Sequence, residues 1–229
     1  MIIENHSLRN KFFVFRNREH AGEELARFLE EKLEVKEDLV VLAVPRGGIP
    51  VGCVIAKRLK APLGLVIVRK IPIPWDTEAG FGALSPNGDV FIDEKLKFAL
   101  NIDDETIKVL VKEVLQEIKR REKVFSQVVG KVKIEEKNII LVDDGIAAGF
   151  TMFAAVNYVK KRNPKRIYIA VPTGCIDALK RLEPLVDAIF CLNIRSPIPY
   201  FAVADAYKEW RDLTDEDVLF YLRKYGYIT

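Results

Sequence analysis

Short runs that are apolar at nearly every position recur along this chain, and each is followed by a stretch with helical spacing. The runs are Val40–Val44, Leu63–Val68, Asn138–Val142, Arg166–Val171 and Asp187–Ile194. A strand with one wet face alternates apolar and polar residues. A strand that does not alternate is covered on both faces, and such strands belong to parallel sheets held between helical layers. Residues 16–33 place Ala21, Leu25, Phe28, Leu29 and Leu33 on one helical face, and Pro50–Lys60 does the same with Val51, Val54, Ile55 and Leu59. A longer stripe from Ile107 to Ile118 starts after a cap at Asp103 or Asp104 and has Gly130 as its stop. Further helices are predicted over Gly149–Lys161, Ile176–Leu182 and Thr214–Lys224, the last capped by Thr214. The pattern predicts an α/β fold, a parallel β-sheet with helices on both faces.

One segment, Arg69–Asp93, breaks the alternation. Its prolines and glycines predict a loop carrying a β-hairpin, with Phe81–Leu84 and Val90–Ile92 joined through Ser85-Pro86-Asn87-Gly88. No repeat or low-complexity linker divides the chain, so residues 1–229 are expected to form a single domain. With 49% hydrophobic and 30% charged residues, a packed core is expected and disorder is not. A net charge of +3 requires no polyanionic partner, so nucleic acid is not an expected one. Cys53, Cys175 and Cys191 are far apart, and the only histidines are His6 and His20, which leaves no metal-ligand spacing. The thiols are expected in the core. The opening MIIENHSLRNKFFVF has no uninterrupted apolar stretch, and no run approaches the ~20 residues of a membrane span. A cytoplasmic location with no membrane partner is expected.

In parallel sheets ligands gather beyond the carboxyl ends of the strands. Three loops there carry chemistry. Ile139–Val142 delivers two adjacent acids, Asp143 and Asp144, followed by a loop with Gly145 and Gly149 and by Thr151 in the next helix. Glycines let backbone N–H groups converge on an anion, and the helix start adds partial positive charge. The glycine spacing is too short for a Walker loop, and no lysine precedes Thr151. One acid could simply cap the helix, but that accounts for neither the second acid nor the glycines. Val44-Pro45-Arg46-Gly47-Gly48 supplies a guanidinium and two residues that permit close backbone approach. Arg69 and Lys70 stand at the root of the interrupting segment, where Glu78, Gly80 and Gly82 follow and Trp75 either covers the site or packs beneath the hairpin.

VDDGIAAGFT resembles the diphosphate-sugar signature of type I phosphoribosyltransferases, and VPRGGIP and VRKI follow the same family pattern. FRNREHAGEELA, TEAGFGAL, IAVPTG and YFAVADAYKEW extend the resemblance to an uncharacterised bacterial and archaeal group of that family. The resemblance implies transfer of a phosphoribosyl group from 5-phosphoribosyl diphosphate to a nucleobase-like acceptor, with release of pyrophosphate. It implies that Asp143 and Asp144 hold the ribose hydroxyls. Gly145, Ile146, Ala147, Ala148, Gly149, Phe150 and Thr151 would wrap the 5′-phosphate, and Arg46, Gly47 and Gly48 the pyrophosphate. Arg69 and Lys70 would act with the acids at the root of a mobile loop over residues 69–93. An acceptor hood is expected over about 195–212, with Tyr200 or Phe201 stacking on a base or simply packing. Mg²⁺ would bridge pyrophosphate and ribose oxygens, with Asp143 or Asp144 as a possible ligand, and the partners would be these small molecules and a second copy in a homodimer. The family pattern also implies a cis peptide from Pro45 to Arg46. Rival readings are a regulator of the same fold that senses the diphosphate sugar and binds nucleic acid, and a sugar-phosphate enzyme. In relatives acting on oxopurines an acid occupies the position of Ala147, so hypoxanthine and guanine are unsuited acceptors.

Overall fold

The computed structural model describes residues 1–125 and 132–228; the expected helix stop at Gly130 lies outside them. Among the described residues six parallel strands form the main sheet: β1 (Ile2–Glu4), β2 (Leu39–Ala43), β3 (Leu63–Leu65), β7 (Asn138–Val142), β8 (Arg166–Cys175) and β9 (Ala188–Arg195). Their order is β1-β9-β8-β7-β2-β3. Between β3 and β7 the chain builds a second, antiparallel sheet from β4 (Arg69–Ile73), β5 (Asp76–Leu84) and β6 (Val90–Ile92).

Successive side chains of a strand point to opposite faces, and both faces here are apolar. Val41, Ala43, Ile140, Val142, Tyr168 and Phe190 pack with α1 (Arg18–Lys32) and α2 (Gly48–Arg58). Val40, Leu42, Ile139, Leu141, Ile169 and Cys191 pack on the other side with α5 (Phe150–Lys160) and α6 (Ile176–Leu182). Cys53, Cys175 and Cys191 are buried and unbridged, as expected. A third cluster joins Ile71, Ile73 and Phe81 of the small sheet to Ile102 and the first turns of α4 (Asp104–Val124). Asp103 caps that helix, its carboxylate accepting from the Thr106 amide at 2.7 Å. α7 (Asp215–Lys224) starts with a reciprocal capping box between Thr214 and Asp217.

Three departures from expectation have physical causes. Ile2–Glu4 forms an edge strand on β9 although its run is only three residues long. Residues 69–73, expected as loop, pair with β5; Pro72 is tolerated because β4 is an edge strand and the register slips on both sides of it. A short helix, α3 (Glu94–Ala99), follows β6, with the Asp93 carboxylate accepting from the Leu96 amide.

The order of the strands fixes where a ligand can sit. From β2 the chain crosses to β3 on one side, whereas β7, β8 and β9 proceed to the other. β2 and β7 are neighbours in level register, Leu39 opposite Asn138 and Ala43 opposite Val142. The loops leaving them, which carry Arg46 and Asp143, therefore open the crevice at the topological switch point.

The amino-terminal segment is tied to the far strand ends by polar bonds to the buried Asn193 side chain. Asn193 Nδ2 donates to the Leu8 and Lys11 carbonyls at 2.5 and 3.2 Å, and its Oδ1 accepts from the Thr173 hydroxyl at 2.8 Å. Replacing Asn193 by Ala removes three hydrogen bonds, but the Thr173 hydroxyl keeps the Asn193 carbonyl as an acceptor at 3.0 Å and the Leu8 carbonyl keeps the Lys11 amide, so the cost is about 0.5–1.5 kcal/mol. Urea denaturation of N193A should show a loss in that range; an unchanged midpoint would mean that the segment is held by other contacts.

Candidate active site

The two switch-point loops touch. A Cβ on Gly47 would overlap the Asp144 carboxylate, and one on Gly48 would stand 2.6 Å from the Val142 carbonyl oxygen. Glycine at both positions lets the Arg46 loop lie directly on the acid-bearing strand end. The peptide joining Pro45 to Arg46 is cis.

Asp144 accepts from Arg18 Nε at 2.7 Å, in a pair whose side chains are only 8% and 13% exposed, Arg18 first. The Arg18 guanidinium also donates to the Arg211 carbonyl at 2.9 Å and lies 3.8 Å above the Trp210 ring. Tyr207, fully buried, donates its hydroxyl to the Asp144 carbonyl oxygen at 2.6 Å. Burial, then the Asp144 charge, push that phenol's pKa well up, which keeps it a neutral donor. Asp143 makes no ion pair among the described residues; its Oδ1 accepts from the Asp144 amide at 2.8 Å. Burial first, and the Asp144 charge second, raise the Asp143 carboxyl well above the ordinary carboxylate range. The two acids are thus unlike: one is paired with a guanidinium, the other is inclined to keep a proton.

Beyond the acids the loop is pinned at Ile146, which is buried and bonds both ways to β8: its amide donates to the Thr173 carbonyl at 3.0 Å and its carbonyl accepts from the Cys175 amide at 2.8 Å. Ala147 and Ala148 form the exposed crest, their amides without an acceptor among the described residues. Gly149 turns the chain at φ +84° into α5, with Phe150 and Thr151 in the first turn, where helix N–H groups have no intrahelical partner. These amides can cradle an oxyanion.

Cations gather on the β2 side. Arg46 Nη1 is 3.9 Å from Asp215, and Arg69 Nη1 is 3.3 Å from Glu117. Lys70, next along β4, lies beside Gly80 on the opposite face of the small sheet. Trp75 is 68% exposed at the β4–β5 turn and so does not pack beneath the ribbon; the Glu78 side chain lies outside the description. In the expected hood, Tyr200 is exposed and Phe201 lies 5.2 Å from the buried Arg195 guanidinium. The residues that reach the acid loop are others: Val203, packed on Gly145, together with Tyr207 and, through Arg18, Trp210. Arg18, Tyr207 and Trp210 went unassigned in the sequence, although FRNREHAGEELA and YFAVADAYKEW contain all three.

Among the described residues no group of three or more His, Cys, Asp or Glu could by itself hold a metal ion, and no helix is long and apolar enough to cross a membrane. With Asp144 occupied by Arg18, the donor set fits a hard cation that takes most of its oxygens from ligand and water, with Asp143 as the available carboxylate.

Fold and strand-end geometry define an open parallel α/β protein with a crevice at the switch point. A sequence profile described as phosphoribosyl transferase domain matches residues 101–210. Rv0571c of Mycobacterium tuberculosis strain H37Rv, provisionally named a phosphoribosyl transferase, is 32% identical over 209 residues, which cover 91% of this chain and 46% of that protein. The crystal structure of TT1426 from Thermus thermophilus superposes with a TM-score of 0.70 at 32% identity, over 92% of this chain and 98% of the other. The chain belongs to the type I phosphoribosyltransferase family. It spans about half the length of the curated relatives it matches.

Removing one partner of a buried ion pair leaves an uncompensated charge, at a cost of about 3–5 kcal/mol. R18M should lose that much stability in denaturant titrations at neutral pH, and R18M/D144N should recover part of it. A loss below about 1 kcal/mol, the range of exposed pairs, would show that the pair is solvated.

Proposed function

We propose that this chain takes the phosphoribosyl group of 5-phosphoribosyl diphosphate and passes it to a nucleobase-like acceptor, releasing pyrophosphate. What supports this most is the contact of Gly47 with Asp144, which sets a guanidinium-bearing loop directly beside an acid pair and an amide cradle. Those are the chemistries of the donor in spatial order: diphosphate, ribose hydroxyls, 5′-phosphate.

On this reading the amides of Gly145–Thr151 hold the 5′-phosphate, and Asp143 and Asp144 hold the ribose hydroxyls. Arg46, Gly47 and Gly48 receive the diphosphate, joined by Arg69 and Lys70 as the ribbon over residues 69–93 closes. The bond from ribose C1 to the diphosphate oxygen breaks with its electron pair leaving on pyrophosphate, and an acceptor lone pair forms the new bond. Positive charge builds on the sugar ring meanwhile, so the chain contributes orientation and electrostatic stabilisation rather than a covalent intermediate. Asp144, oriented by its bond to Arg18, faces that charge. Asp143 would hold Mg²⁺, which when bound would supply neutralisation of the leaving group's charge. The acceptor lies under residues 195–212.

Pyrophosphate release measured with purines, pyrimidines and orotate, beside nucleic-acid binding at physiological salt, tests the proposal. Release with at least one base supports it, whereas nucleic-acid binding without turnover would favour a regulator of the same fold. Asp143→Asn and Asp144→Asn should each lower turnover by roughly a hundredfold or more, the effect expected when a transition-state stabiliser is lost. A variant retaining near-normal turnover would place its aspartate outside the chemistry.

Ala147 sharpens the acceptor. Its methyl group cannot exchange a proton with a purine ring, and general acid–base catalysis by a side chain contributes about 10²–10⁴-fold. Steady-state assays with hypoxanthine and guanine should give specificity constants below ~10⁵ M⁻¹s⁻¹; higher values would show that Ala147 is no obstacle.

A further inference from the structure

We propose that Arg120 is a positioning residue for the diphosphate site, holding two carboxylates that would otherwise capture the arginines meant for the leaving group. The proposal rests on the reading of Arg46 and Arg69 as diphosphate contacts. Arg120 projects from α4 and is half exposed, yet all its contacts are short. Its guanidinium donates to Glu117 at 2.7 and 2.9 Å and to Asp215, at the start of α7, at 2.6 Å. The same two carboxylates face the site arginines at longer range, 3.3 Å from Glu117 to Arg69 and 3.9 Å from Asp215 to Arg46. The second separation is beyond hydrogen-bond reach, and the Asp215 oxygen concerned, Oδ1, is buried without a hydrogen-bond partner. Buried Arg121 supplies a further contact to Glu117 at 3.0 Å.

The distances rank the competition. A planar guanidinium with five donors can hold two carboxylates at once, and Arg120 does so. Arg69 and Arg46 are left with the weaker contacts, which an incoming diphosphate can displace. Charge balance favours that exchange. Four guanidiniums, of Arg46, Arg69, Arg120 and Arg121, meet two carboxylates, so the cluster is short of negative charge. Arg69 and Arg121 have lowered pKa values, through burial first and then through neighbouring arginines, Arg121 down to about 10, while Glu117 is pulled down to about 2, chiefly by its bonds to Arg120. Without Arg120, Asp215 has Arg46 as its near cation and Glu117 tightens on Arg69. Both site arginines would then be spoken for before the ligand arrives.

Calorimetric titration of the full chain with pyrophosphate and Mg²⁺ tests this in the wild type, R46Q, R120Q, R120K and R120Q/D215N, with thermal melts confirming that each folds. R120Q should bind about tenfold more weakly, the scale of one charge-assisted hydrogen bond. R120K should fall between, and adding D215N should restore much of the affinity, because the competing carboxylate is gone. Wild-type affinity in R120Q would overturn the proposal. So would a double variant weaker than R120Q, since purely structural losses accumulate rather than cancel. If the wild type binds no pyrophosphate, or R46Q binds it as well as the wild type does, the reading of the site falls and the proposal with it.

Discussion

Arg18 and Asp144 meet where neither charge reaches much water, and three separate parts of the chain must arrive together to make that tolerable. A buried pair repays its desolvation only if the remaining hydrogen-bonding capacity is satisfied. Here the first turn of α1 brings the guanidinium, and the β7 strand end brings the carboxylate. The segment after β9 brings the Trp210 ring, the Arg211 carbonyl and the Tyr207 hydroxyl. The pair therefore couples the beginning, middle and end of the sequence at the one point where the sheet's strand order reverses. Gly47 completes the coupling from the fourth side, because any larger residue would overlap the Asp144 carboxylate.

Charge is sorted along the crevice. Acids sit at the β7 end, bare amides on the loop beyond it, and guanidiniums on the β2 side where α4 and the small sheet approach. The charged side chains are mostly answered by an opposite charge. Arg18 answers Asp144, while Glu117 and Asp215 answer the arginines. Asp143 is the exception. With no counter-ion among the described residues it favours its protonated form, and a bound cation would reverse that preference.

The sheet was legible in the sequence because doubly covered strands leave unbroken apolar runs, and the cap at Thr214 because capping needs few residues at fixed spacing. Ile2–Glu4 and Arg69–Ile73 were not. A three-residue edge strand has too little sequence for a pattern, and Pro72 masks an edge strand that never needed its amide. Within the site, the acid pair and its glycines announced themselves as a local cluster. Arg18, Tyr207, Trp210, Glu117 and Arg120 did not, because each is ordinary in its own neighbourhood and meets partners up to 193 positions away. Tyr200 drew notice as an aromatic that could stack on a base and is exposed, whereas Tyr207, seven residues on, is buried and bonds to the acid loop.

A crystal structure of the chain with 5-phosphoribosyl diphosphate and Mg²⁺ tests the central claim most directly. The 5′-phosphate is expected on the amides of Gly145–Thr151, the ribose hydroxyls at Asp143 and Asp144, and the diphosphate on Arg46–Gly48. A ligand bound elsewhere, or one whose diphosphate lies on the α5 loop with its ribose away from the acids, would contradict the assignment of the switch-point crevice.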